Sequence, residues 1–184
     1  LWEIDFSNLF VDGTKIEANA NKYTFVWKKS TQKHEIKLDE KINNLILTFN
    51  KDFNTQFTDI TQIKTYVTKI IKKNNVKFVQ GKGKRKTELQ KIYETLNEYN
   101  NRKIKYQNYN SIFKDRNSFS KTDEDATFMH LKEDHMRNSQ LKPAYNVQIG
   151  VSGEYVIGTE IFDKRTDYYT LIPFLETLKK YLPK

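Results

Sequence analysis

Residues 9–29 read LFVDGTKIEANANKYTFVWKK, which sets a carboxylate, Asp12, in an apolar run and follows it with Lys15, Asn19, Asn21 and Lys22. A carboxylate carried into an apolar interior must meet a cation, a dense set of donors or a metal ion, because desolvation is otherwise costly. Residue types alone leave two readings open. Asp12 is either an edge-strand or paired aspartate, or one ligand of a metal site.

The other groups able to do chemistry read as structural. His130 and His135 sit at i and i+5, which on a helix turns them away from each other. With no Cys and no HExxH pattern, zinc is not expected. The loop QGKGKRKTE (residues 80–88) lacks the fixed Gly and Lys spacing of a phosphate loop. Its cations Lys82, Lys84, Arg85 and Lys86 form either a solvated linker or contacts to a nucleic-acid backbone. Asp123 and Asp125, in SKTDEDATF, read as residues that close a turn on their own backbone. Asp167 reads as a capping residue before the last helix.

These residues need elements to position them. Residues 9–16 alternate as a strand, with Phe10, Asp12, Thr14 and Ile16 on one face and Leu9, Val11 and Lys15 on the other. Residues 23–27 are a second short β-like run. Apolar residues then recur at helical spacing: Ile42, Leu45, Ile46, Phe49 and Phe53; Ile63, Tyr66, Val67, Ile70 and Ile71; and Leu89, Ile92, Tyr93, Leu96 and Tyr99. Asp59 with Gln62 and Thr87 with Gln90 fit capping boxes. Residues 31–117 therefore read as a helical insertion between core segments 1–30 and 118–184. Residues 114–142 are polar and aperiodic. Tyr145, Val147, Ile149 and Val151 share a face, and a Ser152-Gly153 turn leads to Tyr155, Ile157, Thr159 and Ile161, which makes a hairpin. Leu171, Phe174, Leu175 and Leu178 mark a final helix with Pro173 in its first turn.

The chain has 184 residues, 37% of them apolar and 14% aromatic, enough for one domain with an insertion and a core rich in rings. The absence of Cys excludes disulfides and thiolate metal sites. No apolar run is long enough to span a membrane, and no signal-peptide pattern is present. The first residue is Leu rather than Met, so the chain reads as a piece of a longer protein. A net charge of +9 makes a polyanion, nucleic acid above all, the natural partner.

DGTKIEANANKYTFVWKK (residues 12–29) closely resembles the first catalytic segment of one large branch of bacterial insertion-sequence transposases of the DDE class. KTDEDATFMHLKEDHMRNSQLKPAYNVQIGVSGEYVIG (residues 121–158) resembles a second stretch of that branch, and DYYTLIPFLETL (residues 167–178) the helix after it. The resemblance implies an α/β, ribonuclease-H-like mixed sheet. This chain would supply its first three strands and first core helix, interrupted by the mostly α-helical insertion. It implies Asp12 as the first of three carboxylates that hold two Mg²⁺ or Mn²⁺ ions. The second Asp and the Glu have no match here, so the chain alone is expected to be inactive. It implies double-stranded DNA, transposon ends and target, as partner, a homodimer in the active complex, and a location on the bacterial nucleoid in the cytoplasm, with no membrane. Lys15, Lys22 and the basic loop are the candidate DNA contacts. A non-catalytic basic DNA-binding module, or a domesticated transposase remnant, is the alternative.

Overall fold

The computed structural model describes residues 8–81, 83, 85–131 and 140–181. Lys82, Lys84 and His135, singled out above, lie outside the described residues. The described elements run β1 (Phe10–Glu17), β2 (Phe25–Trp27), α1 (Lys28–Phe53), α2 (Ile60–Lys73), α3 (Glu88–Phe113), β3 (Ser118–Ser120), β4 (Thr127–Met129), β5 (Lys142–Ser152), β6 (Tyr155–Phe162), a 3-10 turn (Asp167–Tyr169) and α4 (Leu171–Tyr181). The fold is α/β, with an antiparallel sheet and four helices among the described residues. The chain divides into two compact units, Leu1–Lys28 with Ile112–Lys184, and Lys29–Ser111.

The helical unit is built on the apolar periodicity of its sequence. Leu38, Ile42, Phe49, Ile63, Val67 and Leu96 are buried together, and Phe49 stacks on Phe53 with ring centroids 4.3 Å apart. Asp59 caps α2 by accepting from the Thr61 amide at 3.1 Å, while Gln62 reaches the Thr58 amide rather than that of Asp59. The second expected capping box is half made. Thr87 accepts from the Gln90 amide at 3.2 Å, but the Gln90 side chain does not return to Thr87. It is fully buried and holds both backbone groups of Val79, at 3.0 and 2.8 Å, because an enclosed loop amide and carbonyl need partners more than an exposed helix start does.

In the sheet unit, β5 is central. β1 pairs along one edge, with Asp12 opposite Ile149 and Gly13 opposite Gln148. β6 and β4 pair with successive parts of the other edge, and β2 pairs separately with β3. β3 and β4 fall in the segment read as aperiodic: strands of three residues are too short for alternation to show. The hairpin turn is Gly153-Glu154 rather than Ser152-Gly153, since Ser152 pairs with Tyr155 and Gly153 takes a positive φ of 60°.

The face carrying Phe10, Asp12, Thr14 and Ile16 is not the buried one. Phe10 is 69% exposed and Ile16 52%, and the aligned residues Val147, Ile149 and Val151 are only half-buried. The opposite face, with Ala144, Asn146, Gln148 and Gly150, is the one under α4. The reason is steric. A Cβ on Gly150 would lie 3.1 Å from Leu178 and 3.3 Å from Phe174, and one on Gly158 would collide with Leu178, so bare backbone is what lets the helix settle.

Candidate active-site cleft around Asp12

Asp12 lies on the sheet edge rather than in a core, so the desolvation argument for a partner does not apply to it. Its Oδ1 accepts from the amide of Gly13 at 2.9 Å. It lines a cleft of about 680 Å³ together with Gln148, Asp167, Tyr168, Tyr169 and Ile172.

Asp167 is the second carboxylate of this cleft, and it is not a helix cap. Its Oδ1 accepts from Asn146 Nδ2 at 2.8 Å and from Gln148 Nε2 at 3.0 Å, and Gln148 also donates to Asn146 Oδ1 at 3.0 Å. Two fully buried amides on β5 need an acceptor, and the 3-10 turn holds Asp167 ahead of α4 where it can supply one. Its backbone carbonyl still accepts from Thr170, through the amide at 3.1 Å and the hydroxyl at 2.9 Å. Gly13 is the contact between the two carboxylate neighbourhoods. A Cβ there would strike Gln148 and come within 2.7 Å of Asp167 Cγ, so only glycine fits beside this network.

Of the other candidates, neither Lys15 nor Lys22 lines the cleft. Lys15 is half-buried opposite Asn146, and the Lys22 ammonium sits 5.2 Å from the centre of its neighbour's ring, Tyr23. Lys86 is paired with Glu94 at 2.6 Å and holds that carboxyl below its usual range, while Arg85 is exposed. His130 is exposed. Asp123 does close a turn: its Oδ1 accepts from the amides of Asp125 and Ala126, both at 3.3 Å. The Tyr145 hydroxyl donates to both Asp123 oxygens, at 2.8 and 2.7 Å. Burial, and then that carboxylate, push the Tyr145 hydroxyl up to about 12.

A pair of Mg²⁺ or Mn²⁺ ions does not fit the donors described. Two divalent cations need several carboxylates to offset their mutual repulsion. Asp12 is one, Asp167 has an oxygen committed to two amides, and no group of three His, Asp or Glu able to hold a metal occurs among the described residues.

The sequence reading did not single out Tyr168 and Tyr169, which are 84% and 65% exposed. The signal was present: adjacent side chains on a short turn diverge, so a Tyr-Tyr pair before a helix cannot be wholly core. No family model, no curated protein and no solved structure matches the chain.

Proposed function

We propose that this chain is the first part of the catalytic core of a DDE transposase, built on a ribonuclease-H-like sheet and interrupted by a helical insertion. The observation that carries the reading is the place of Asp12. It lies on a strand paired antiparallel to the first strand of a hairpin, with a helical unit between them in sequence and a helix after the hairpin. The order of strand, helical unit, hairpin and helix agrees with what the resemblance implies, with the short β2, β3 and β4 added to it. Asp12 also opens onto a cleft, where a phosphodiester can reach it.

In this reading the complete enzyme cuts DNA at transposon ends and joins the freed 3′-hydroxyl to target DNA. It uses Mg²⁺ or Mn²⁺ held by Asp12 and two further carboxylates. The described residues supply one carboxylate of that set, so the 184-residue chain by itself does not cleave DNA. Asp167 is not offered as a metal ligand. Double-stranded DNA is the partner, held through phosphates by Lys15, Lys22 and the loop of Lys82, Lys84, Arg85 and Lys86, and the active complex is a homodimer. No helix among the described residues is long and apolar enough to cross a membrane, which is compatible with work on the bacterial nucleoid.

The second reading, a non-catalytic basic DNA-binding module or a domesticated remnant, rests on the net charge of +9, which suits a polyanion whether or not the protein is catalytic. The gene sequence following the codon for Lys184 separates the two. A strand bearing Asp, followed by a helix bearing Glu, supports the transposase, and a continuation without them supports the module. Both readings predict backbone contacts to DNA. Replacing Lys82, Lys84, Arg85 and Lys86 with Ala should flatten the slope of log affinity against log salt by about two to three units. Lys86, already held by Glu94, is the cation expected to add least.

A further inference from the structure

Beside the Asp12 cleft lies a cavity of about 560 Å³ whose lining includes Arg116, Thr127, Lys164, Arg165 and Tyr169. Tyr169 lines both spaces, so the two adjoin at its ring. Three cations, Arg116, Lys164 and Arg165, stand against two carboxylates, Asp115 and Asp163. Lys164 is committed to Asp115 and lies 3.8 Å from Asp163. Arg116 spends its two terminal nitrogens on the carbonyls of Asp125 and Ile112, each at 2.8 Å, and its Nε lies 3.4 Å from Asp163. Arg165 is less occupied. It donates from Nη2 to Ser118 Oγ at 3.2 Å and rests 5.8 Å from the centre of the Trp27 ring, while a guanidinium has five N–H donors. Arg116 Nε and Thr127 Oγ1 are buried without a hydrogen-bond partner, but both are closed off from solvent and the Nε already faces Asp163, so Arg165 is the cation left to meet a ligand. A cavity with three cations against two carboxylates, the Arg165 guanidinium having donors to spare, suits an oxyanion.

The aromatic groups add a second requirement. Tyr168 and Tyr169 meet edge to face with centroids 5.1 Å apart, and both present their rings to solvent on the wall of the Asp12 cleft. Exposed rings beside a cationic groove bind nucleic acid whose bases are unpaired, because a base in a duplex has no free face to stack.

We propose that Tyr168, Tyr169 and Arg165 form a track for a single nucleic-acid strand leading to Asp12. A base stacks on Tyr168, and the adjoining phosphate enters the cavity at Arg165. The proposal rests on the reading of Asp12 as the reacting centre only for its direction; the strand contact itself stands on the rings and the cavity. It assigns the approach of the strand to the sheet unit, not to the basic loop at residues 80–88.

The test is fluorescence anisotropy with the 184-residue chain and three labelled ligands of about fifteen nucleotides, a length suited to one such site: a thymidine strand, an abasic strand and a duplex. Tyr168→Ala should weaken thymidine-strand binding roughly tenfold, the loss typical of one stacked base. It should leave abasic-strand and duplex binding unchanged, and Tyr168→Phe should restore wild-type affinity. Arg165→Ala should reduce the salt slope on both single strands by about 0.7, the share of one phosphate. Unchanged thymidine-strand affinity in Tyr168→Ala, equal losses on abasic and thymidine strands, or no binding of any strand by the wild type would overturn the track. If the tyrosine dependence holds while the gene after Lys184 lacks the two carboxylates, the track stands and the transposase reading falls. If the carboxylates are there and the tyrosine dependence is missing, the reverse is true.

Discussion

The two faces of one sheet reverse the usual assignment of inside and outside. The face under α4 carries Asn146 and Gln148, fully buried and hydrogen-bonded, between Ala144 and Gly150. The other face carries Phe10, Ile16, Val147, Ile149 and Ile161, and the outer members of that set stay exposed to solvent. Hydrophobicity alone would have chosen the second face as the core. Burial instead follows access: a helix seats where glycine and alanine leave room, and the polar side chains trapped beneath it are tolerable because they satisfy one another and Asp167. The apolar face is left with Asp12 in its midst, beside Ile149.

The largest expected effect separates two phenylalanines. Phe174→Ala, in a fully buried position over Gly150, should cost about 3–5 kcal/mol in urea unfolding followed by a probe in the sheet unit. Phe10→Ala should change stability by about 0.5 kcal/mol or less. Similar losses at both positions would mean that both faces are buried, and the comparison would collapse. Next comes Gln148→Ala, which takes a donor from Asn146 and from Asp167 and should cost about 1–3 kcal/mol. Asp167→Asn should cost less than Asp167→Ala, because its Oδ1 can still accept from both amides.

A smaller effect lies in the pH dependence. The folded protein raises the Tyr145 hydroxyl from the ordinary value near 10 to about 12, so the unfolded chain loses this proton first as pH rises. The contribution is therefore fully present below pH 10 and is lost as pH climbs from about 10 towards about 12. Tyr145→Phe should flatten the alkaline fall in stability over that window relative to wild type. An equally steep fall in the variant would mean that burial and the Asp123 carboxylate do not hold the proton on Tyr145.

Much of this architecture was readable from spacing. Ile42, Phe49, Ile63, Val67 and Leu96 lie in the helical core that their periodicity indicated, and alternation located β1, β5 and β6. Alternation gives the period of a strand and not the face that gets covered. The clue to the face was Gly150 and Gly158, whose meaning depends on where α4 packs. β3 and β4 were missed because three residues hold too little pattern. Within the site, the strand around Asp12 was legible, but its apolar setting suggested an interior carboxylate and not the exposed sheet-edge position it holds. The tie from Asp167 to Asn146 and Gln148 was not legible, since its partners come from a separate element and no local spacing announces them. The exposure of Tyr168 and Tyr169 follows from their adjacency on a short turn, a weaker sign in the sequence than the apolar stripe of the helix after them.

The most direct test of the account is plasmid nicking in Mn²⁺ by the complete product of the gene, comparing wild type with Asp12→Asn and Asp167→Asn, alongside DNA affinity for each. Asp12→Asn should abolish nicking and leave affinity intact, because in the proposed reading the carboxylate holds metal while Lys and Arg hold phosphate. Asp167→Asn should still nick, since its oxygen keeps the amides of Asn146 and Gln148 in place. Nicking by Asp12→Asn at the wild-type rate would contradict the account.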